Sequence, residues 1–398
     1  MKVALLCDYP EEGWLSMDLV AEMIAGHLDP RQFEVKLISP PFRKRAMRIL
    51  GLDRTAPGFA WNVDRLLNRM GDYPRALKAI NKDQHFDLFH VVDHSYSQLV
   101  HALPSGRTVV TCHDLETFRY VLEPERYPRP GWFRAMTRRI ISGLGCAAAV
   151  VCDSGATRDA LAALQWVSHE KLHVVHLGVH PECSPLPDAQ ADLRVEQWLG
   201  PSEGGPRYLL HVGSNIERKR IDVLLGVFAE LVRTDPDLRL IKVGGELTPA
   251  QDRQARSLGI RDRVLTLPVF SPKVPSDRAA LAAIYRRSCV VLMPSEIEGF
   301  GLPVVEALAC GVPIVASDIP VLREVGGETA EYRAVGDIAG WVEAINGLLA
   351  EPEEIRESRR LRGIHHASLF SWATHTERLA VIYRSVAASL ETGNFNCL

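Results

Sequence analysis

At 398 residues the chain has room for two or three domains of roughly 100 to 200 residues, each able to close its own hydrophobic core. Hydrophobic residues make up 46% and charged residues 24%, with 29 Gly and 25 Pro, which excludes a disordered, collagen-like or coiled-coil chain. Forty-six Lys and Arg against 49 Asp and Glu leave a formal charge of -3, so nothing draws the whole chain to a polyanion, and nucleic acid is not an expected partner.

In chain order, β-rich apolar runs stand at Lys2 to Cys7, Glu34 to Ile38, Asp87 to Val92, Thr108 to Cys112, Ala147 to Cys152 and Leu172 to His176, with longer amphipathic stretches between them. That alternation predicts a parallel sheet wrapped in helices. Pro181 to Pro206 holds five prolines and the Gly-Pro-Ser-Glu-Gly-Gly-Pro stretch from Gly200, which predicts a break in regular structure. A second set of runs follows at Tyr208 to Val212, Leu238 to Val243, Val264 to Leu267, Val290 to Met293 and Pro313 to Ala316, and from Trp372 to Leu390 the chain reads as helix. The expected class is α/β. A first Rossmann-like domain would span 1–180, a linker 181–206 and a second Rossmann-like domain 207–370, with a C-terminal helix over 371–398 crossing back to the first. Open parallel sheets bind ligands outside the carboxyl ends of their strands, so the chemistry is expected on the loops that follow strands, in a cleft between two facing sheets.

The most informative loop is Pro294-Ser-Glu-Ile-Glu-Gly-Phe-Gly-Leu-Pro-Val-Val-Glu-Ala-Leu-Ala-Cys-Gly-Val-Pro-Ile-Val-Ala-Ser-Asp318. Gly299 and Gly301 free the backbone, Pro303 suits a first helical turn and Gly311 suits a helix end, so a short helix is predicted from about Leu302. Its N-terminal amides suit a phosphate group. Glu298 and Glu306 bracket that anion site, and carboxylates there are suited to sugar hydroxyls. A second stretch, His211-Val-Gly-Ser-Asn-Ile-Glu-Arg-Lys-Arg-Ile-Asp222, places Arg218 and Lys219 after a glycine turn at a strand end, where fixed positive charge would stabilise a leaving phosphate.

The spacing Glu298 to Glu306, with Glu-Gly-Phe-Gly-Leu-Pro and Glu-Ala-Leu-Ala-Cys-Gly-Val-Pro-Ile-Val-Ala-Ser-Asp around it, resembles the retaining glycosyltransferases of the GT-B fold, glycosyltransferase family four. The resemblance implies that Glu298 contacts the transferred sugar, Glu306 the nucleotide ribose, and the amides of Phe300, Gly301 and Leu302 the diphosphate and sugar. It matches Lys219 to a leaving-group cation. Ser214 stands where many relatives carry Arg, with Arg218 or Arg220 as substitutes. Thr111-Cys-His-Asp114 matches a family segment whose histidine faces the transferred sugar, which makes His113 a catalytic candidate; a satisfied core histidine is the alternative. Gly13, Gly244 and Val269 fall at positions that line the donor site in relatives. Asp93, His94 and Tyr96, after a strand of the first half, are acceptor candidates.

The implied activity is transfer of a sugar from a nucleoside diphosphate sugar, such as a UDP- or GDP-sugar, to an acceptor hydroxyl with retention. No metal or other cofactor is expected. The acceptor would be a glycan, a lipid-linked group or a small molecule, in glycan, lipopolysaccharide or glycoconjugate biosynthesis. A nucleotide-sugar epimerase, a sugar phosphorylase and a non-catalytic nucleotide-sugar binder are the alternatives on the same fold. Asp235-Pro-Asp237 reads as a turn and not a metal motif, and the pairs His173/His176 and His365/His366 lack a third ligand.

No apolar run approaches the ~18 residues a bilayer needs, and Val3 to Cys7 is too short for a secretory signal core, so a cytoplasmic location is expected. Of eight cysteines, most sit in or beside apolar runs and none forms a CxxC pair, which predicts buried free thiols. From Phe42 to Lys82 there are ten basic residues (Arg43, Lys44, Arg45, Arg48, Arg54, Arg65, Arg69, Arg75, Lys78, Lys82) against Asp53, Asp64 and Asp72. With Phe42, Met47, Ile49, Leu50 and Trp61 interleaved, and a second basic aromatic stretch from Arg126 to Arg139, a peripheral contact with the inner membrane face is one reading and a solvated or acceptor-binding surface the other.

Overall fold

Among the described residues the eleven apolar runs become parallel strands of two sheets, and a twelfth strand joins them. The structure, a computed structural model, describes residues 1–49, 58–201, 204–271 and 274–391. The first sheet contains β1 (Lys2–Leu6), β2 (Glu34–Ile38), β3 (Leu88–Val91), β4 (Thr108–Cys112), β5 (Ala149–Cys152) and β6 (Leu172–Val174), in the order β2-β1-β3-β4-β5-β6. The second contains β7 (Arg207–Val212), β8 (Leu238–Val243), β9 (Val264–Leu267), β10 (Val290–Met293), β11 (Ile314–Ser317) and β12 (Glu331–Arg333), in the order β12-β11-β10-β7-β8-β9. Central strands such as β4 and β10 are buried along their whole length, as strands covered on both faces must be, whereas β2, at an edge, buries only Ile38 fully. Each sheet has its own core: Phe89, Val110, Leu144 and Val150 in the first, Leu209, Phe228, Leu292 and Ile345 in the second.

The chain divides into two units, one made of Met1–His176 with Trp372–Leu398, the other of Leu177–Ser371. The last described helix, Trp372–Glu391, packs within the first unit: Thr376 Oγ1 donates to the His27 carbonyl at 3.2 Å, and the buried Tyr383 hydroxyl lies 2.6 Å from His90 Nδ1 in β3.

Two expectations need correction. The stretch 181–206 is not without regular structure, because the helix Ala189–Leu199 lies inside it, capped by Asp188, whose side chain accepts from the amides of Gln190 and Ala191. The prolines flank that helix instead of interrupting it. The second sheet also has a sixth strand, β12, a three-residue polar edge that pairs with β11. Of the basic stretch in the first unit, Leu50, Asp53 and Arg54 lie outside the described residues. Several of its other members turn inward. Arg45 forms a two-pronged bond to Asp72 at 2.5 and 2.9 Å, Arg65 lies 2.9 Å from Glu12, and Met47 and Trp61 are buried beside Phe42.

Candidate active site

A doubly wound sheet opens for ligands where its strand order reverses. In the second unit that point lies between β7 and β10, whose following loops hold each other: the Glu296 amide donates to the Arg218 carbonyl at 2.8 Å. After β7 the chain passes through a 3₁₀ turn, Glu217–Lys219, and enters the helix Ile221–Thr234 through Arg220, which is left-handed with φ 49°. The turn brings two cations to one acid. Lys219 Nζ donates to Glu298 Oε1 at 2.5 Å and Arg218 Nη1 to Glu298 Oε2 at 3.3 Å, while Arg218 Nη1 also donates to the Ile297 carbonyl at 2.5 Å. Burial opposes ionisation of Glu298, but Lys219 and then Arg218 outweigh it and hold the carboxyl below its ordinary range. Two cations thus converge on one carboxylate at this strand end. Arg220, the other cation considered from the sequence, is spent on Asp222 at 2.8 Å and Glu296 at 2.5 Å.

The loop after β10 ends at Gly301, with φ 97°, and the helix Leu302–Ala309 follows. A Cβ on Gly301 would stand 2.7 Å from Leu322 Cδ2, so both conformation and space require glycine. Phe300, Gly301 and Leu302 therefore lie at the positive end of a helix that starts four residues after Glu298. Glu306, one turn inside, is buried; its Oε2 accepts from the Tyr285 hydroxyl at 2.8 Å and its Oε1 lies 3.7 Å from Arg278 Nη1. Tyr285 and Arg278 went unnoticed in the sequence. Both sit on the helix Pro275–Arg287, seven residues apart and so on one face, and that spacing was the available signal.

Gly244, at the end of β8, has φ 115°, and a Cβ there would lie 2.1 Å from the Gly213 carbonyl oxygen. The turns after β7 and β8 thus touch backbone to backbone, which brings Ser214 beside Gly244. Val269 lies one strand further out, after β9, and is 54% exposed. His211 in β7 donates from Nδ1 to the Leu292 carbonyl at 3.0 Å; burial pushes its pKa down to about 4, so the ring is neutral.

In the first unit the reversal falls between β1 and β3. Gly13, with φ 72°, ends the 3₁₀ turn Pro10–Glu12 that follows β1, and the space beside its Cα is open. Asp93, after β3, accepts from the Ser95 amide at 2.8 Å and the Ser95 hydroxyl at 2.5 Å. His94 Nδ1 accepts from the His113 amide at 3.3 Å, which puts the proton of the neutral ring on Nε2. The expected acceptor role of Tyr96 does not fit. Its hydroxyl donates to Glu12 Oε1 at 2.8 Å and accepts from the Tyr9 amide at 3.3 Å, inside the unit, with Arg69 stacked 3.9 Å over its ring.

The sugar-facing role of His113 also fails on geometry. Nδ1 lies 2.6 Å from Asp153 Oδ2 and Nε2 lies 2.8 Å from the Val92 carbonyl, so neither ring nitrogen is left for a sugar hydroxyl. Burial alone would lower its pKa, but the charge and hydrogen bond of Asp153 raise it to about 9, and the imidazolium donates from both nitrogens. The satisfied core histidine is what the structure shows. Asp153 and Asp8, neither singled out beforehand, share this rim at the carboxyl ends of β5 and β1.

Asp235, at the DxD look-alike, pairs with Arg207 and accepts from the Asp237 amide, a turn. Among the described residues no group of three or more His, Cys, Asp or Glu is placed to hold a metal ion, and no helix is long and apolar enough to cross a membrane.

Residues 18–182 match the family model described as Glycosyltransferase Family 4, and residues 197–363 the one described as Glycosyl transferases group 1. The D-inositol 3-phosphate glycosyltransferase of Segniliparus rotundus is 35% identical over 206 residues, 50% of this chain and 44% of that protein. The chain spans about half the length of the curated relatives it matches, 44% and 57% in two of them. Among solved structures, a sucrose-phosphate synthase from Thermosynechococcus elongatus superposes with a TM-score of 0.73 at 20% identity, covering 98% of this chain and all of that one. Anabaena Alr3699/HepE in complex with UDP and glucose gives 0.71 at 18% identity, covering 97% of this chain and 100% of that one. The fold is GT-B, and with one family model on each unit the chain belongs to the group 1 glycosyltransferases of family four.

Proposed function

We propose that the protein transfers a sugar from a nucleoside diphosphate sugar to an acceptor hydroxyl, with retention at the anomeric carbon and without a metal. The observation that carries this reading is the Arg218 and Lys219 pair on Glu298 at the reversal point of the second sheet, next to the helix that begins after Gly301. Arg218, Lys219 and the amides of Phe300, Gly301 and Leu302 would take the diphosphate, and Glu298 the hydroxyls of the transferred sugar. Glu306 would take the ribose through Oε1, the oxygen that Tyr285 leaves open. Ser214, Gly244 and Val269 would line the nucleotide, and Gly13 would let backbone approach the donor.

In the reaction the bond between the anomeric carbon and the diphosphate oxygen breaks while the acceptor oxygen bonds to the same face. The acceptor proton passes to the departing phosphate oxygen. The charge that develops there would fall to Arg218 and Lys219, and at an effective dielectric near 20 a cation about 4 Å away is worth roughly 4 kcal/mol before desolvation is subtracted. The solved Anabaena complex with UDP and glucose makes UDP the first nucleotide to try, and the name of the curated relatives makes polyols and polyol phosphates the first acceptors.

The test is a thermal-shift titration with UDP, GDP, ADP and TDP and their sugars, with and without EDTA. We expect stabilisation by one nucleotide family, unchanged by EDTA. No shift with any of them, or one abolished by EDTA, overturns the metal-independent transfer reading.

A further inference from the structure

We propose that His211 is a positioning residue of the donor site, whose Nε2 accepts a hydrogen bond from Lys219 and so holds that ammonium against the departing diphosphate. The proposal rests on the glycosyl-transfer reading above.

His211 is a polar side chain near the carboxyl end of β7, 1% exposed, in a strand whose Leu209 and Leu210 are fully buried. A histidine at that depth needs partners for both ring nitrogens. Nδ1 has one, the Leu292 carbonyl at 3.0 Å, and a carbonyl only accepts, so the proton of the neutral ring sits on Nδ1 and Nε2 carries a lone pair. Nε2 has no hydrogen-bond partner in the protein. What it lacks is a donor, and the ring lies too deep for a bound nucleotide to supply one directly.

The space beside Nε2 is shared with Lys219. A Cβ on Gly213 would stand 3.1 Å from His211 Nε2 and 3.7 Å from Lys219 Cδ, so imidazole and lysine border one small gap, with the ammonium one carbon further along. Gly213 has no left-handed φ that would call for glycine; the missing side chain leaves this gap open. Two other charged groups act on the ring. Lys242 turns its Nζ to the Gly245 carbonyl at 3.0 Å, and the Glu298 carboxylate can only accept. Lys219 is the donor that remains.

An ammonium has three N–H donors, and Glu298 Oε1 takes one of them. With a phosphate oxygen on the second, Nε2 takes the third, and the lysine is held from three sides instead of swinging on its flexible stem. An imidazolium could not do this. Burial, with the charges of Lys219 and Lys242, keeps the ring uncharged.

The experiment titrates the full chain calorimetrically with UDP, GDP, ADP and TDP, then compares the diphosphate that binds with its own monophosphate. Asparagine places its amide where Nδ1 stands and keeps the Leu292 bond, whereas glutamine reaches the position of Nε2. His211→Asn should weaken the diphosphate about tenfold, the worth of one hydrogen bond to a charged group, and leave the monophosphate within about twofold. His211→Gln should restore wild-type binding of both. On a Lys219→Ala background His211→Asn should add nothing. A diphosphate-to-monophosphate ratio that Lys219→Ala lowers and His211→Asn does not overturns the proposal alone, as does an equal loss from His211→Asn with and without Lys219. Should His211→Asn fail to fold, nitrogen NMR of isotope-labelled histidine decides. The Nε2 resonance that His211→Gln removes should move when the diphosphate binds wild type and stay when it binds Lys219→Ala; one that moves alike in both, or in neither, overturns the proposal. If no diphosphate binds the wild-type chain, or Lys219→Ala leaves the ratio unchanged, the transfer reading falls and this proposal with it.

Discussion

The two reversal points share a topology and differ in charge. At the β7–β10 point, Arg218 and Lys219 converge on Glu298, and a helix starts beside them. At the β1–β3 point Arg65 and Arg69 share Glu12, Arg69 also feels the Asp93 carboxylate, and His113 pairs with Asp153, so the cations of that rim are balanced by acids of the same unit. Strand order fixes where a doubly wound sheet binds; what it binds is decided by which charges the loops leave unmatched.

The sharpest way to break this contrast is to remove one member of the Lys219–Glu298 pair. Lys219→Ala should lower kcat/KM for transfer by about two to four powers of ten, and Glu298→Gln by a similar factor with circular dichroism unchanged, because each removes an interaction with the reacting sugar or leaving group. Steady-state kinetics on a matched donor and acceptor would check it, and turnover within tenfold of wild type would refute the assignment.

Next come two glycines, one for each unit. Gly244→Ala would force a Cβ to within 2.1 Å of the Gly213 carbonyl oxygen, and Gly143→Ala to within 2.0 Å of the Ser97 carbonyl oxygen. Each should destabilise its own unit by roughly 3 kcal/mol or more. Differential scanning calorimetry with UDP as a probe separates them: only the Gly244 variant should lose nucleotide-dependent stabilisation.

The smallest expected effect is a pH dependence carried by the first unit. The folded-state pKa of His113 lies at about 9, above the ordinary histidine value of 6.5, so the stability it contributes is complete below about 6.5 and is lost as pH rises through about 9. At about 1.4 kcal/mol per pKa unit this amounts to at most about 3 kcal/mol. Melting temperatures of wild type and Asp153→Asn across that window should converge at the alkaline end, and a constant gap would contradict the pairing.

Much of the second unit was legible because its chemistry is contiguous in the chain: Glu298, Gly301 and the helix start fall within five residues of one another. The first unit was less so. Asp153 meets His113 across two strands from 40 residues away, and no local pattern announces that. Asp8 reads as the polar end of an apolar run, and only its burial beside Asp93 marks it. The strand β12 escaped because Glu-Tyr-Arg has no apolar signature, its place being set by β11 beside it. The helix Ala189–Leu199 was masked by prolines that lie outside its ends.

The return of the C-terminal helix to the first unit has a consequence for the order of synthesis. Residues 1–176 leave the ribosome first, but the wall that covers His90, closed by Tyr383, and the Thr376 contact with His27 are made last. The second unit, by contrast, is a continuous insertion whose ends are joined by a hydrogen bond from the Val179 amide to the Phe370 carbonyl at 2.9 Å. It can complete its fold while its host is still unfinished. The half of the molecule begun first is therefore the half finished last, and a chain that stalls before residue 372 would carry a folded second unit and an unfinished first one.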